Sequence, residues 1–324
     1  LRKPKRRDKS LDLAGIRQKR RIFMLKAKRK AFLAPSILNV PDNERTTKAA
    51  EAVRIGREED MPVIAHFDVI DANKGKGTKI VQPKANDTRQ GLKPDKVKEI
   101  IDKSRGEAIV DVHLMVMDPS IEEIIDPYIA NGAGIITLHW EGFEDKKVLL
   151  ERLKYIRSHG VMAGLAINPD IDIKVAGEFI KQNRRDIDMV LQMSVFPGKG
   201  GQKFMTSVLE NIRALRSKYS YTGLIQIDGG INQDTIKDAR DAGVDIFVAG
   251  SAFFRKEDMS RNGMRESARI LREALDPEMA TDISKIKDLK QNLEELFGIF
   301  NEKWRYANSE TLAGDSINII KEIE

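Results

Sequence analysis

Eight short apolar runs constrain this chain more than any other feature. They span residues 33–38, 62–70, 109–116, 134–139, 161–167, 187–195, 223–228 and 244–250. Most are apolar at successive positions, not only at alternate ones, which predicts strands buried on both faces. The intervals between them carry helical spacing. Within 207–219, Val208, Ile212 and Leu215 fall three to four residues apart, and 121–130 and 147–159 read the same way. Buried strands alternating with helices predict a parallel sheet, and eight of them predict a closed (β/α)8 TIM barrel. An open doubly wound sheet is the alternative, but it rarely needs eight strands. It would also usually place a Gly-rich nucleotide fingerprint after the first strand, where this chain has Ser36-Ile37-Leu38-Asn39.

The ends differ from the body. Residues 1–30 hold fourteen Lys/Arg against Asp8 and Asp12, a net of +12, so the chain's formal +6 leaves −6 for the rest. This basic N-terminal arm lacks the apolar content for a core. It suits contact with nucleic acid, ribosomes or an anionic surface, a transit peptide, or a solvated tail. After residue 275, Ile286, Leu289, Leu293, Leu296 and Phe300 repeat at three-to-four spacing, with Trp304 beyond them. That predicts an amphipathic C-terminal helical extension, docked on the barrel or joining a homo-oligomer. The expected division is an arm at 1–30, a barrel catalytic domain at 31–275 and the extension at 276–324. No apolar run is long enough to span a bilayer, and no apolar segment behind the basic start suggests a secretory signal. The absence of cysteine excludes disulfides and thiolate chemistry and fits a reducing compartment. Cytoplasmic location is the expectation, with organelle targeting by the arm as the other reading.

Chemistry in such a barrel sits at the C-terminal ends of the strands, so polar residues closing apolar runs stand out. The first run offers Ser36. The second offers His66 and Asp68, two apart and therefore on one face. The third offers His113 with Met115 at the same spacing. The fourth ends at His139, the sixth carries Gln192 and Ser194 around Met193, and the seventh ends at Asp228. His66, Asp68, His113 and Asp228 bring two imidazoles and two carboxylates to one barrel mouth. That set suits a divalent metal such as zinc, iron or manganese. His159, beside Gly160, reads as a surface residue. Glycines supply the other half of the mouth: Gly198, Gly200 and Gly201 after the sixth run, Gly229 and Gly230 after the seventh, and Gly250 with Ser251 after the eighth, opening a helix-like segment. Backbone N–H groups in such loops bind phosphate.

The stretches LAPSIL, HFDVID, VDVHLMV, ITLHWE, MSVFPGKGGQKF, IDGGIN and VAGSAFF occur in an order and spacing that resemble the ribulose-phosphate 3-epimerase family, across about residues 31–256. The resemblance implies a ribulose-phosphate-binding barrel and one divalent ion (zinc, iron, manganese or cobalt) on His66, Asp68, His113 and Asp228. It implies Asp68 and Asp228 as the acid and base that invert C3 of a ketose phosphate, and so convert D-ribulose 5-phosphate to D-xylulose 5-phosphate. Ser36 would orient the substrate, and Met115 and Met193 would pack over the reacting carbons. Several positions depart from the family's pattern. Ile70 stands where a capping methionine is usual, Ala72 where glycine is usual, and Asp170 where a small residue often follows Asn-Pro. The closing segment is not recognisable within 72–91, which reads as a long loop. These departures keep two other readings in view: a 3-epimerase of a ketohexose 6-phosphate of the allulose type, and a non-catalytic barrel scaffold with a nucleic-acid- or partner-binding arm.

Overall fold

The computed structural model describes residues 31–59, 61–70, 90–91, 93–197 and 202–276. The basic arm, the loop 71–89, Gly198, Gly200 and Gly201, and the C-terminal extension past Asp276 lie outside the described residues. Nine strands form one sheet among the described residues: β1 Phe32–Pro35, β2 Ala65–Ile70, β3 Gln90–Gly91, β4 Val110–Met115, β5 Ile135–His139, β6 Met162–Ile167, β7 Met189–Met193, β8 Leu224–Asp228 and β9 Ile246–Ala249. Their order is β1-β9-β8-β7-β6-β5-β4-β2-β3. Eight are parallel, and bridges from Leu33 to Val63 and from Ser36 to His66 join β1 to the β2 strand and its lead-in, completing the ring. Each parallel strand overlaps one of the eight apolar runs.

A helix follows each parallel strand. These are α1 Arg45–Glu58, α2 Pro94–Lys103, α3 Asp126–Ala130, α4 Lys146–Ser158, α5 Ile173–Gln182, α6 Val208–Ser217, α7 Ile236–Ala242 and α8 Arg261–Leu275. The barrel is therefore the (β/α)8 architecture that the alternation predicts. No helix among the described residues is long and apolar enough to cross a membrane. The structure adds three details that local pattern does not encode. The end of the stretch read as a loop is a short strand, β3, antiparallel to Val69 and Ile70. The periodic segment 121–130 begins as a π-turn, Ile121–Ile125. Pro127 has no N–H to continue an α-ladder there, so the wider turn precedes α3. The residues after Gly250 form a hydrogen-bonded turn, Phe254 N to Gly250 O at 2.9 Å, and not a helix.

The barrel interior is layered along the strand direction, because every second residue of each strand points inward. The N-terminal end is an apolar plug that includes Phe32, Ile64, Ile135, Met162, Met189 and Leu224. Burying each such side chain contributes about 1.5–3 kcal/mol. Two residues further along, His66, Asp111, Thr137 and Gln226 form a polar layer with no exposed surface. Two further still, Ser36, Asp68, His113 and Asp228 reach the C-terminal mouth. A rigid apolar floor thus carries a polar layer, and that layer carries the site.

On the outer wall, Glu99 of α2 ties α1 to α2. It accepts from Thr46 Oγ1 at 2.8 Å and pairs with Lys96 and Lys103 at 2.7 and 2.8 Å. Hydrogen bonds from Lys103, Lys96 and Thr46 hold its carboxyl down at about 2. A depressed carboxylate stabilises the fold above its unfolded value of 4.5 and loses that contribution as pH falls towards 2. Glu99→Gln is expected to cost a few tenths to about 1 kcal/mol at pH 7, the range of exposed ion pairs. Urea unfolding at pH 6 and pH 3 should show the gap between wild type and variant shrinking at the lower pH. A gap that stays constant would refute the assignment.

Candidate active site and metal centre

His66 and Asp68 leave β2 on its inward face, His113 leaves β4, and Asp228 closes β8. One ligand atom from each lies within 4.8 Å of all the others. Asp68 Oδ1 is 3.4 Å from His66 Nε2 and 3.1 Å from His113 Nδ1, and Asp228 Oδ2 is 3.8 Å from each of those nitrogens. Ligands about 2.0–2.2 Å from a divalent ion stand roughly 3–3.5 Å apart, so the pairs at 3.1 and 3.4 Å already have that spacing and the wider ones, within 4.8 Å, would draw in by up to about 1.3 Å to hold one. The donor chemistry fits as well, with two nitrogens and two oxygens and no sulfur.

The neighbours of these residues prepare them for that task. Asp111 Oδ2 sits 2.8 Å from His66 Nδ1 and accepts from Gln226 Nε2 at 2.8 Å. His66 Nδ1 therefore carries the proton, and its Nε2, buried without a hydrogen-bond partner, faces the carboxylates. Ser36 Oγ donates to Asp68 Oδ2 at 2.8 Å, which leaves Oδ1 turned to the imidazoles. Burial disfavours ionisation of Asp68, yet the charge of His66 and the hydrogen bond from His113 hold its carboxyl well below the usual range. Asp228 shows the opposite balance. Burial, then the charge of Asp68, pushes its carboxyl up to about 7. Burial lowers His113 to about 4. His66 is raised well above its usual value, because Asp111 and Asp68 outweigh the burial that opposes its charge.

Above the cluster opens a cavity of about 490 Å³. Asp68 and Asp228 lie at its floor, Met115 and Met193 line it, and Gly229, Gly230, Gly250 and Ser251 form part of its wall. The paired glycines after β8 are required by backbone shape. Gly229 has φ +119° and Gly230 φ +64°, and a Cβ on Gly230 would stand 2.8 Å from Phe204 N. Such conformations turn the backbone sharply and let it approach a ligand closely. Gly250 is different: the nearest atoms to a Cβ there are 3.8 Å away, an ordinary van der Waals contact, so a methyl group would fit.

The ribulose-phosphate 3 epimerase family model matches residues 32–254. The chain belongs to the ribulose-phosphate 3-epimerase family. It is 33% identical over 229 residues to ribulose-phosphate 3-epimerase of Eremothecium gossypii, covering 71% of this chain and 88% of that one. It is 30% identical over 237 residues to the enzyme of the same name from Escherichia coli strain K12, covering 71% and 92%. The cytoplasmic isoform of Oryza sativa subsp. japonica is 31% identical over 224 residues, covering 69% and 87%. Among solved structures, KGPDC from Streptococcus mutans superposes with a TM-score of 0.52 at 12% identity, covering 76% and 97%, a likeness of fold.

Within this family frame the structure brings together His66, Asp68, His113, Asp228, Ser36, Met115 and Met193 with the described glycines and Ser251. Gln192 and Ser194 take other parts. Gln192 Nε2 donates to Met193 O at 3.0 Å, and Ser194 Oγ lies 2.5 Å from Gly229 O, bracing the β8 turn. His159 is exposed against Tyr155, as its place beside Gly160 suggests. Ile70, in the place of the family's usual methionine, is buried and packs against Met115. Several residues escaped sequence reasoning. Asn39, Gln202, Phe204, Thr206 and Asn232 line the cavity from loops whose course no periodicity reveals. Asp111 escaped too, although its spacing of two from His113 marks it for the barrel interior.

Proposed function

We propose that the chain inverts C3 of a ketose phosphate, converting D-ribulose 5-phosphate to D-xylulose 5-phosphate and back. One observation carries this reading: two carboxyls, two imidazoles and a glycine-lined wall share one cavity, with Asp68 and Asp228 both at its floor. Inversion beside a ketone removes a proton from one face and returns one to the other. β2 and β8 are separated by β1 and β9 around the ring, so the two carboxyls approach a substrate from different sides. One takes the C3 proton and the other delivers its own to the opposite face. After one turnover the protons have changed places, and the reverse reaction or exchange with water resets them.

His66, Asp68, His113 and Asp228 would hold a divalent ion, with zinc, iron, manganese and cobalt all suited to the donor set. The ion would polarise the ketone and offset the negative charge that develops on its oxygen, which makes the C3 proton acidic enough for a carboxylate. Ser36 holds Asp68 in one orientation. Met115 and Met193 give the reacting carbons an apolar cover. The backbone at Gly229, Gly230, Gly250 and Ser251 would receive the phosphate, with Gly198, Gly200 and Gly201 added on the sequence alone, so binding energy remote from C3 orients it. In this reading 31–275 is the catalytic domain and the enzyme is cytoplasmic, as the name of the rice relative fits. A homo-oligomer joined through 276–324 and anionic contacts by residues 1–30 rest on sequence alone.

Metal-loaded protein should interconvert ribulose and xylulose 5-phosphates, followed by a coupled spectrophotometric assay. A ketohexose 6-phosphate in parallel is expected to turn over far more slowly. Turnover of the hexulose phosphate alone would move the assignment to the sister activity, and turnover of neither would refute the epimerase reading.

A further inference from the structure

His139 and Glu141 do not line the cavity, yet they are joined to it. His139 ends β5 with no exposed surface, and the 3-10 turn Trp140–Gly142 that follows carries Glu141. His139 Nε2 lies 2.7 Å from His113 Nε2, with the two rings within 16° of parallel. His139 Nδ1 lies 3.1 Å from Glu141 Oε2, and Glu141 Oε1 accepts from Asn168 N at 2.7 Å. The turn is itself clamped. Lys146 Nζ donates to Trp140 O and Phe143 O, and Asp118 N donates to Gly142 O at 2.8 Å.

We propose that Glu141, acting through His139, selects the nitrogen that His113 presents to the metal. The proposal rests on the metal reading of the site. A carboxylate accepts and does not donate, so His139 Nδ1 must carry a proton to meet Glu141. Neutral His139 then has a lone pair on Nε2. When an ion is bound, that lone pair takes the Nε2 proton of His113, which leaves the lone pair of His113 on Nδ1 for the ion in place of the hydrogen bond that Nδ1 makes to Asp68 without one. Nδ1 is the atom 3.1 Å from Asp68 Oδ1 and 3.8 Å from Asp228 Oδ2. The reverse tautomer would aim an N–H at the cluster and exclude a cation. Asp111 does the same for His66 directly, so both imidazoles are set by a carboxylate outside the ligand set, one of them through a relay. His139 and Glu141 are positioning residues in this scheme.

Glu141→Gln tests it at nearly unchanged volume. The amide has one oxygen for two donors, Asn168 N and His139 Nδ1. Where its NH2 faces His139, the direction of the relay reverses. The zinc affinity of the apoprotein, measured by competition with a chromophoric chelator, should fall about 10- to 100-fold, the usual effect of losing such a partner. The apoprotein should melt at nearly the wild-type temperature. Equal zinc affinity in both proteins would overturn the proposal, as would a loss of affinity matched by a comparable loss of apoprotein stability. Histidine 15N spectra of zinc-loaded wild-type protein give a second measurement that needs no variant. A proton on Nδ1 of His139 with its Nε2 bare supports the relay, and a proton on Nε2 of His139 overturns it. Wild-type apoprotein that binds no divalent ion would instead defeat the metal reading, a result distinct from a variant that binds zinc as tightly as wild type.

Discussion

Asp228→Asn and Asp68→Asn are each expected to lower turnover by at least about a thousandfold, within the range that a lost general acid or base costs. In the proposed mechanism each carboxyl does two things, hold the ion and move a proton, and an amide does the second not at all. Folding should survive. Asp228, pushed up by burial and by the charge of Asp68, loses that repulsion on substitution, and its variant should melt at least as high as wild type, whereas Asp68→Asn also removes the partner of His66 and should melt somewhat lower while still folded. Turnover is therefore compared per folded molecule, which separates a chemical loss from a structural one. The decisive measurement is exchange of the substrate C3 proton with deuterated water, with metal content determined on the same samples. Wild type should exchange C3 from both epimers, because each turnover leaves one proton on the enzyme for exchange with solvent. A D228N protein that keeps its ion should lose inversion and retain exchange from one epimer at most. A D68N protein should show the mirror result. Wild-type inversion in either variant would end the two-carboxylate scheme.

The parts of this site that can be read from the chain are those written in strand periodicity. His66, Asp68 and His113 interrupt apolar runs at intervals of two, and only an inward face explains that spacing. Asp228 is marked by the two glycines after it, whose positive φ values bear out a turn that side chains resist. What periodicity cannot carry is tertiary. Glu141 sits in a 3-10 turn placed by Lys146 and Asp118, so nothing local announces that it faces His139. Asn39 and Asn232 reach one cavity from opposite ends of the barrel sequence. β3 exists only because the ends of Val69 and Ile70 are free to pair, and the turn after Gly250 resembles a helix for a single hydrogen-bonded loop.

The second large effect is expected far from the cavity, at Arg216 of α6. Its guanidinium gathers the N-terminal ends of β8 and β9. Nη1 donates to Tyr221 O at 2.9 Å and Gly223 O at 2.7 Å, Nε and Nη2 donate to Gly243 O at 3.0 Å, and Nη2 pairs with Asp245. Asp245 Oδ2 in turn accepts from Ile225 N at 2.8 Å, which ties the pair into β8. Gly243, in the left-handed region at φ +110°, lets the chain turn tightly against the arginine stem. Arg216→Ala leaves three carbonyls and a carboxylate without their shared donor. The side chain is 26% exposed, so water recovers part of the loss. The expected cost is about 2–4 kcal/mol, below that of breaking a fully buried pair. For a domain of this size that lowers the melting temperature by roughly 5–15 °C. Arg216→Lys should recover little of it, because one ammonium cannot reproduce the planar fork that reaches both sides of the strand pair. Asp228 lies only a few residues along β8 from this anchor, but the strand is also paired to β7 and β9 along its length. Turnover per folded molecule at 25 °C should therefore stay within about twofold of wild type, while urea unfolding shows the loss. A variant as stable as wild type would show that the strand ladder alone holds the β8–β9 ends. A variant that folds well but turns over slowly would place Arg216 in the positioning of Asp228.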